Sequence, residues 1–317
     1  MKRVIVVPRN GYLNRLQAMA SASILAEQLG AEFSVCWLPQ PAAPAPGVVV
    51  FGETSGLAFI SESELQMILG SSLESFALYV NSQDVSGVGK VVTFAGHDLG
   101  EQPLMSELSQ ELRVSEFDYL VLVAGGRFSE SVGSQSIDWD SEDFRELRRG
   151  WYQALEFSPD IDSVWPEFVR EPFLGLHLRY SDRSHQTPSR AEIERAVVEL
   201  CGSSGIERVF IASDSRKERD HWSQLLWKLG LSPWFFESNL VGEFSGDTAA
   251  LVDWRILTHA QAIVYFGESS FGYEAAVASG NFNASVALAP NPLVSLGVRT
   301  RKIAGIVLGA PRRRGWL

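Results

Sequence analysis

Short apolar runs that alternate with amphipathic segments constrain the fold of this chain more than any other feature of its sequence. Residues 4–7 are wholly apolar, which is typical of a strand buried on both faces of a sheet. Residues 14–29 carry one polar stripe beside an apolar face, which predicts a helix, and Gly30 is suited to end it. Residues 32–37 form the next predicted strand. A strand, a crossover helix and a second strand predict a parallel α/β sheet.

The same alternation continues along the chain. The further predicted strands are residues 48–51, 90–94, 119–124, 173–179, 208–212, 234–236 and 262–266. The further predicted helices are residues 62–70, 104–112, 141–157, 190–200, 215–229, 248–260 and 271–279. Proline residues at 158–172 break the pattern, and two α/β halves of similar size result. We therefore expect two Rossmann-like domains, residues 1–160 and 161–317. The tail 301–317 is either a solvated terminus or packs on the first domain.

Composition excludes several classes of protein. The 317 residues include 27 Lys and Arg against 38 Asp and Glu, a net charge of −11, which argues against a nucleic-acid or anionic-membrane partner. A local pocket of donors could still bind a small anion. Cys36 and Cys201 are two lone cysteines, too few for a zinc site or a disulfide framework, and suit reduced thiols in the cytoplasm. No segment approaches the roughly 18 apolar residues that a membrane span needs.

Polar residues follow the first predicted strand, at the edge where parallel α/β sheets bind ligands. Gly11, Asn14 and Arg15 open the first predicted helix, and backbone N–H groups beside an arginine suit an anion. Asn14 is equally suited to be an ordinary helix cap. The chain has no G-x-G-x-x-G pattern, which argues against a hydride-transfer enzyme of the usual dinucleotide type.

A histidine and an arginine end the strand predicted at 173–179. The two-residue period of a strand puts His177 and Arg179 on one face, with Leu176 and Leu178 on the other. Both polar groups are costly to bury without partners. A diphosphate would suit Arg179, because the guanidinium can bond two phosphate oxygens at once. The alternative is an internal Arg179–Asp182 ion pair beside a hydrogen-bonded core histidine.

Three further strand ends or helices carry candidates. Asp214 follows the strand at 208–212 and is expected to cap the next helix. Asp253 lies on a predicted helix at an apolar interface, where either a guanine edge or a nearby arginine would satisfy its carboxylate. Ser269 and Ser270 open the last predicted helix, either as a second phosphate cradle or as helix caps.

Taken in order, three stretches resemble motifs of the fucosyltransferase-like superfamily, which has the GT-B fold of two Rossmann-like domains around a cleft. Residues 11–16 (G-Y-L-N-R-L) resemble its first-loop motif G-x-G-N-[RQ]-L. Residues 177–182 (H-L-R-Y-S-D) resemble its H-x-R-R-x-D motif, and residues 251–271 are similar to its last nucleotide-binding motif. The superfamily includes the bacterial nodulation fucosyltransferase and the α-1,6-, α-1,2- and protein O-fucosyltransferases.

The resemblance implies an inverting, metal-independent glycosyltransferase that moves fucose or a related sugar from a GDP-sugar to a glycan, peptide or small-molecule acceptor. It implies no cofactor besides this donor substrate, and an acceptor held largely by the first half. Arg179 would bind the β-phosphate and stabilise the leaving group. His177 and Asp253 would contact the guanosine, and Ser269 and Ser270 the phosphates. The remaining residues with an implied nucleotide-binding role are Gly11, Asn14, Arg15, Asp214 and Phe271.

The sequence departs from these motifs at two points. Tyr180 stands where the second motif arginine is expected. No glutamate follows the motif closely, so a general base must come from elsewhere, and the candidates are Asp182, His185, His97 and Glu268. His97 and Arg127 are the acceptor-side candidates. The departures leave two alternatives open: a glycosyltransferase with another nucleotide-sugar donor, and a catalytically degenerate nucleotide- or glycan-binding protein of the same fold.

Overall fold

The computed structural model describes residues 2–52, 55–71, 79–95, 116–126, 141–163, 165–167, 169–180, 187–237, 248–267 and 269–290. They belong to two compact units. Unit 1 comprises Met1–Arg170, Phe236–His259 and Val277–Gly280, and unit 2 comprises Glu171–Phe235, Ala260–Ala276 and Asn281–Leu317. Unit 1 thus extends past the expected boundary at residue 160 and takes in two later segments.

Strands and helices alternate through the described chain. The strands are β1 (Arg3–Pro8), β2 (Glu32–Val35), β3 (Tyr79–Val85), β4 (Gly89–Ala95), β5 (Tyr119–Ala124), β6 (Leu174–Leu178), β7 (Arg208–Ser213), β8 (Ser232–Trp234), β9 (Ala262–Phe266) and β10 (Val286–Leu288). The helices are α1 (Tyr12–Gln28), α2 (Gly47–Phe51), α3 (Glu62–Leu69), α4 (Glu142–Ala154), α5 (Pro159–Asp162), α6 (Arg190–Ser204), α7 (Arg216–Lys228), α8 (Ala249–Leu257) and α9 (Ser270–Ser279). The expected α/β class is confirmed.

The sheet of unit 1 has the strand order β2-β1-β5-β4-β3. All of its pairings are parallel except that between β3 and β4. One face packs against a cluster that includes Ile5, Cys36, Leu65 and Val121, all essentially buried. The β3 strand was not predicted, because its residues 79–85 (Y-V-N-S-Q-D-V) contain no continuous apolar run.

Unit 2 has a wholly parallel sheet with the order β10-β9-β6-β7-β8. Its core joins β6, β7 and β9 to the buried faces of α6 and α7, and Trp222 is fully buried there. Both cysteines are free and buried, Cys36 in unit 1 and Cys201 in unit 2, as the sequence predicted. The strand predicted at 234–236 lies slightly earlier, at Ser232–Trp234.

The prediction of a strand at 48–51 is wrong, because Gly47–Phe51 forms the short helix α2. Val50 and Phe51 are buried, while Val48 and Val49 are exposed. Phe51 meets Trp37 edge-on at 5.3 Å between ring centroids and stacks on Phe157 at 5.7 Å. A four-residue apolar run has no period that separates strand from helix, so only these tertiary contacts decide its conformation.

Candidate functional site

Each sheet reverses its strand order beside its own first strand. In unit 1 the neighbours of β1 are β2 and β5, and in unit 2 the neighbours of β6 are β7 and β9. Open parallel α/β sheets bind ligands at such a point, beyond the carboxyl ends of the two strands that diverge. The polar segments singled out in the sequence follow these strands. The described strands of each unit therefore place a candidate binding crevice at this point.

His177 lies near the carboxyl end of β6 and is only 5% exposed. Its ring stacks on Phe271, with centroids 4.7 Å apart and planes 13° apart. Leu174, Leu176 and Leu178 all belong to the core cluster on the other face of the strand, as the two-residue period predicted. The Nδ1 atom is buried and has no hydrogen-bond partner among the residues described. A polar ring atom is therefore left unsatisfied at the switch point of unit 2.

The His177 imidazole is neutral at physiological pH. Burial and, to a smaller extent, the charge of Arg179 lower its pKa from 6.5 to about 3, against an opposing effect of Asp214. A neutral imidazole has one donor and one acceptor nitrogen, so it can pair with a polar edge of a ligand without carrying charge. Arg179 follows β6, is half-buried, and acts electrostatically on this ring.

Gly272 brings α9 close to His177 and to β9. A Cβ at this glycine would lie 3.1 Å from His177 Nδ1 and 2.9 Å from Tyr265 Cγ, and it would clash with Tyr265 Cβ. Any larger residue would thus force the helix away from the strand that it covers. The sequence places Gly272 in the last predicted helix but gives no sign of its contact with His177, so it was not among the predicted site residues.

Ser269 immediately precedes α9, and its side chain is only 3% exposed. The backbone N–H of Ser269 donates to the Phe266 carbonyl at 2.8 Å, and the Ser269 carbonyl accepts from Tyr273 N–H at 3.1 Å. Within the described ranges, its hydroxyl has no hydrogen-bond partner. The expectation that Ser269 caps the helix through its side chain is therefore wrong. Ser270 is the first residue of α9.

Asp214 ties the end of β7 to the end of β6, because its Oδ1 accepts a hydrogen bond from Tyr180 N–H at 2.8 Å. The expected cap role is wrong. Ser215 is the N-cap of α7, and its hydroxyl accepts from Glu218 N–H at 3.4 Å. The helix α7 begins at Arg216, one residue later than a cap at Asp214 would require. Asp214 therefore positions the loop after β6 instead.

Tyr180, where the sequence departs from the H-x-R-R-x-D pattern, packs against the core of unit 2. Its ring meets Phe266 edge-on, with centroids 5.7 Å apart, and burial raises the pKa of its hydroxyl. It therefore packs with the leucine face of β6, opposite the face that carries His177.

The crevice of unit 1 is built around Asn10, a residue with positive φ (67°). Its N–H donates to Gln40 Oε1 at 3.1 Å, and its side-chain Nδ2 donates to the Gly125 carbonyl at 2.8 Å. Arg15 Nε donates to the Asn10 carbonyl at 2.9 Å. Sequence reasoning missed Asn10 and Gln40, although Asn10-Gly11 is a recognisable turn signal.

Two other nucleotide candidates differ in place from expectation. Gly11 is the N-cap of α1, and Asn14 is its third residue, so the suggestion that Asn14 caps this helix is wrong. Asp253 is half-buried on α8, which belongs to unit 1, whereas His177, Arg179, Asp214, Ser269, Ser270 and Phe271 belong to unit 2.

Several predictions fall outside the described residues: the candidates Asp182, His185, Glu268, His97 and Arg127, the helix at 104–112 and the tail at 301–317. Within the described part of the chain, no cluster of three or more His, Cys, Asp or Glu side chains could hold a metal ion. None of the helices described combines the length and apolar character required to cross a membrane.

Comparison with known proteins gives a consistent result for the fold. Neither protein-family models nor curated proteins match this sequence. Solved structures do match. The fucosyltransferase NodZ from Bradyrhizobium is 16% identical, with a TM-score of 0.51, and the match covers 87% of this chain and 93% of NodZ. POFUT1 in complex with GDP is 12% identical, with a TM-score of 0.52 and coverage of 90% and 98%.

A variant of Arabidopsis thaliana FUT1 in complex with GDP is 13% identical, with a TM-score of 0.58 and coverage of 88% of this chain and 68% of FUT1. The chain is therefore an α/β protein with a fucosyltransferase-like fold, as the sequence motifs implied. At these identities the likeness concerns the fold.

Proposed function

We propose that this chain is a glycosyltransferase that transfers fucose or a related sugar from a GDP-sugar to an acceptor. The observation that carries the proposal is the crevice at the switch point of unit 2. There the buried, neutral His177 on β6 lies against the backbone of α9 at Gly272, and Ser269, whose hydroxyl has no hydrogen-bond partner among the described residues, immediately precedes that helix. The fold likeness supports it, because POFUT1 and FUT1 were solved with GDP.

The crevice has the chemistry that a nucleoside diphosphate needs. His177 offers a hydrogen-bonding ring nitrogen to the nucleoside. The amino-terminal end of α9, a helix of ten residues, and the Ser269 hydroxyl suit phosphate oxygens. Arg179 adds a guanidinium that can bond two of these oxygens. Ser270 and Phe271 begin the same helix, and Asp214 acts indirectly by holding Tyr180 N–H.

In the reaction we propose, the diphosphate leaves from the anomeric carbon of the sugar as the acceptor hydroxyl attacks from the opposite face, so the centre is inverted. Negative charge grows on the leaving phosphate, and a cation already aimed at it lowers the barrier. Arg179 supplies this cation, so the mechanism needs no metal ion. The general base is one of Asp182, His185, His97 and Glu268, and His97 and Arg127 contribute on the acceptor side.

The Tyr180 side chain does not by itself favour a different donor. It packs into the core cluster of unit 2 and against Phe266. His177, on the opposite face of β6, and Arg179, which follows the strand, match the histidine and the first arginine of the motif. The binding experiment below therefore decides between a GDP-sugar and another nucleotide-sugar donor.

The first experiment is calorimetric titration of the purified protein with GDP, UDP, dTDP and CDP, each with and without Mg²⁺. We expect selective binding of GDP that does not depend on Mg²⁺. Preference for another nucleotide would contradict the guanine assignment. Absence of binding to all four nucleotides would contradict the donor site itself. A second assay measures by chromatography whether the protein releases GDP from GDP-fucose. Release indicates an active transferase, and its absence indicates a degenerate binding protein.

Arg179→Ala tests the phosphate role. We expect it to weaken GDP binding by about tenfold to a hundredfold, the range of a hydrogen bond to a charged group, and to leave guanosine binding nearly unchanged. Arg195→Ala is the matched control, because Arg195 is an exposed arginine on α6 of the same unit. Equal losses of GDP and guanosine affinity in Arg179→Ala would contradict the phosphate contact.

A further inference from the structure

Among the described residues, no carboxylate pairs with the buried guanidinium of Arg15. The side chain is fully buried, and its Nη1 and Nη2 atoms have no hydrogen-bond partner in the part of the chain that the structure describes. Its one hydrogen bond among the described residues runs from Nε to the Asn10 carbonyl, a neutral acceptor. The guanidinium also lies 4.5 Å from the centre of the Trp37 ring. The two outer nitrogens of the guanidinium therefore have donors to spare.

The surroundings of Arg15 make the positive charge of its guanidinium more costly to keep. The pKa of Arg15 is lowered from 12.5 to about 10, mainly by burial and secondly by the charge of Arg9. The side chain nevertheless stays protonated at neutral pH. Tyr12 is the one group that acts in the opposite direction. An unpaired buried charge is strongly destabilising, so a residue of this kind is typical of a site that binds a partner of opposite charge.

The backbone beside Arg15 offers an N–H donor, that of Asn10, whose present partner is a neutral side chain. Asn10 sits at the carboxyl end of β1, just before the 17-residue helix α1. Its N–H donates to the amide oxygen of Gln40, a neutral side chain from the segment after β2. Trp37, which covers the guanidinium, lies on the same segment. Displacement of this segment would uncover the Asn10 N–H and the Arg15 guanidinium together.

We propose that the Arg15 pocket, formed by Asn10, Arg15, Trp37 and Gln40, binds an oxyanion, a carboxylate or a phosphate, that the acceptor carries. The ligand oxygen takes the place of Gln40 Oε1 on the Asn10 N–H, and the outer nitrogens of Arg15 bond the other oxygens. Assignment to the acceptor depends on the proposed function, in which the diphosphate of the donor belongs to unit 2. Binding of the oxyanion by unit 1 does not depend on it.

The test is a calorimetric titration of the full chain with sodium phosphate and, separately, with sodium acetate. The buffer contains no other oxyanion. We expect saturable binding of at least one of them. Arg15→Gln should weaken it by about tenfold or more, since it removes a charged donor. Gln40→Ala should tighten it, because it removes the internal competitor. A purely structural role for these residues gives no such opposite pair of effects.

Three results would overturn the proposal: no saturable binding of either anion, unchanged affinity in Arg15→Gln, or unchanged or weaker affinity in Gln40→Ala. Gln40→Ala keeps the test decisive even where Arg15→Gln fails to fold. Arg179→Ala separates this site from the donor site, because phosphate binding that persists in it belongs to unit 1. GDP that competes with phosphate in Arg179→Ala would assign the pocket to the donor and refute the acceptor assignment. Failure of GDP to bind at all would contradict only the proposed function.

Discussion

Replacement of Gly272 by alanine tests the close packing that shapes the crevice of unit 2. The added Cβ would lie 2.9 Å from Tyr265 Cγ and 3.1 Å from His177 Nδ1, both inside normal van der Waals contact, and it would also clash with Tyr265 Cβ. The Cβ of Tyr265 cannot rotate away, because it is bonded directly to the backbone of β9. The helix or the strand must shift, and overpacking of this kind costs about 1–3 kcal/mol.

Gly202→Ala is the matched control. Gly202 is the third residue from the end of α6, as Gly272 is the third from the start of α9, and a Cβ at Gly202 would meet nothing within 4 Å. Both alanines gain helix propensity of similar size, about 0.5–1 kcal/mol, so the difference between the two variants isolates the overpacking.

The assay is urea unfolding of the wild type and both variants. We expect Gly202→Ala to be neutral or slightly stabilising, and Gly272→Ala to lie about 1–3 kcal/mol below it. A difference of less than about 0.5 kcal/mol, the scale of an ordinary surface substitution, would refute the close contact between α9, His177 and Tyr265.

Two further predictions concern the same unit. The folded-state pKa of His177, about 3, lies below its ordinary value of 6.5, so the unfolded chain takes up the proton first. The contribution of this group to the free energy of unfolding is complete above pH 6.5 and is lost as the pH falls toward 3. Urea unfolding at several pH values should therefore show that the free energy of unfolding declines less steeply with falling pH in His177→Asn than in the wild type. Equal declines in the two proteins would contradict burial of a neutral ring. Tyr180→Phe should leave GDP affinity within about twofold in calorimetry, since the ring packs in the core, whereas a loss of tenfold or more would place the hydroxyl on the donor.

Secondary structure was predictable where burial imposes a clear pattern. The strands β5 and β9 lie at the predicted residues, because each is a five- or six-residue apolar run that is buried throughout in β9 and at all but its first residue in β5. The assignment of His177 to the face of β6 opposite the leucines followed from the two-residue period alone. The pattern failed at α2, where a short apolar run satisfies either conformation.

The roles of individual polar side chains were less predictable. Asn14, Asp214 and Ser269 were each expected as possible helix caps. Asn14 and Asp214 do not lie at the N-cap positions, and Ser269 directly precedes α9 but has no hydrogen-bond partner for its hydroxyl among the described residues. A cap is defined by the residue at which the helix begins, and a shift of one position transfers the role to a neighbour such as Ser215. Local sequence contains the cap-forming residue types, and the surrounding packing fixes the boundary.

The sequence by itself determined the α/β alternation, the residues that end each buried strand, and the order of motifs that resembles a known superfamily. Only the tertiary structure decided which strands are neighbours and which polar atoms lack partners. The bond from Asn10 to Gly125 spans 115 positions, and that from Tyr180 to Asp214 spans 34. Hydrogen-bond partners at such separations depend on strand order, which local periodicity does not encode. The unmatched charge of Arg15 and the unbonded Nδ1 of His177 therefore became visible only in the folded chain.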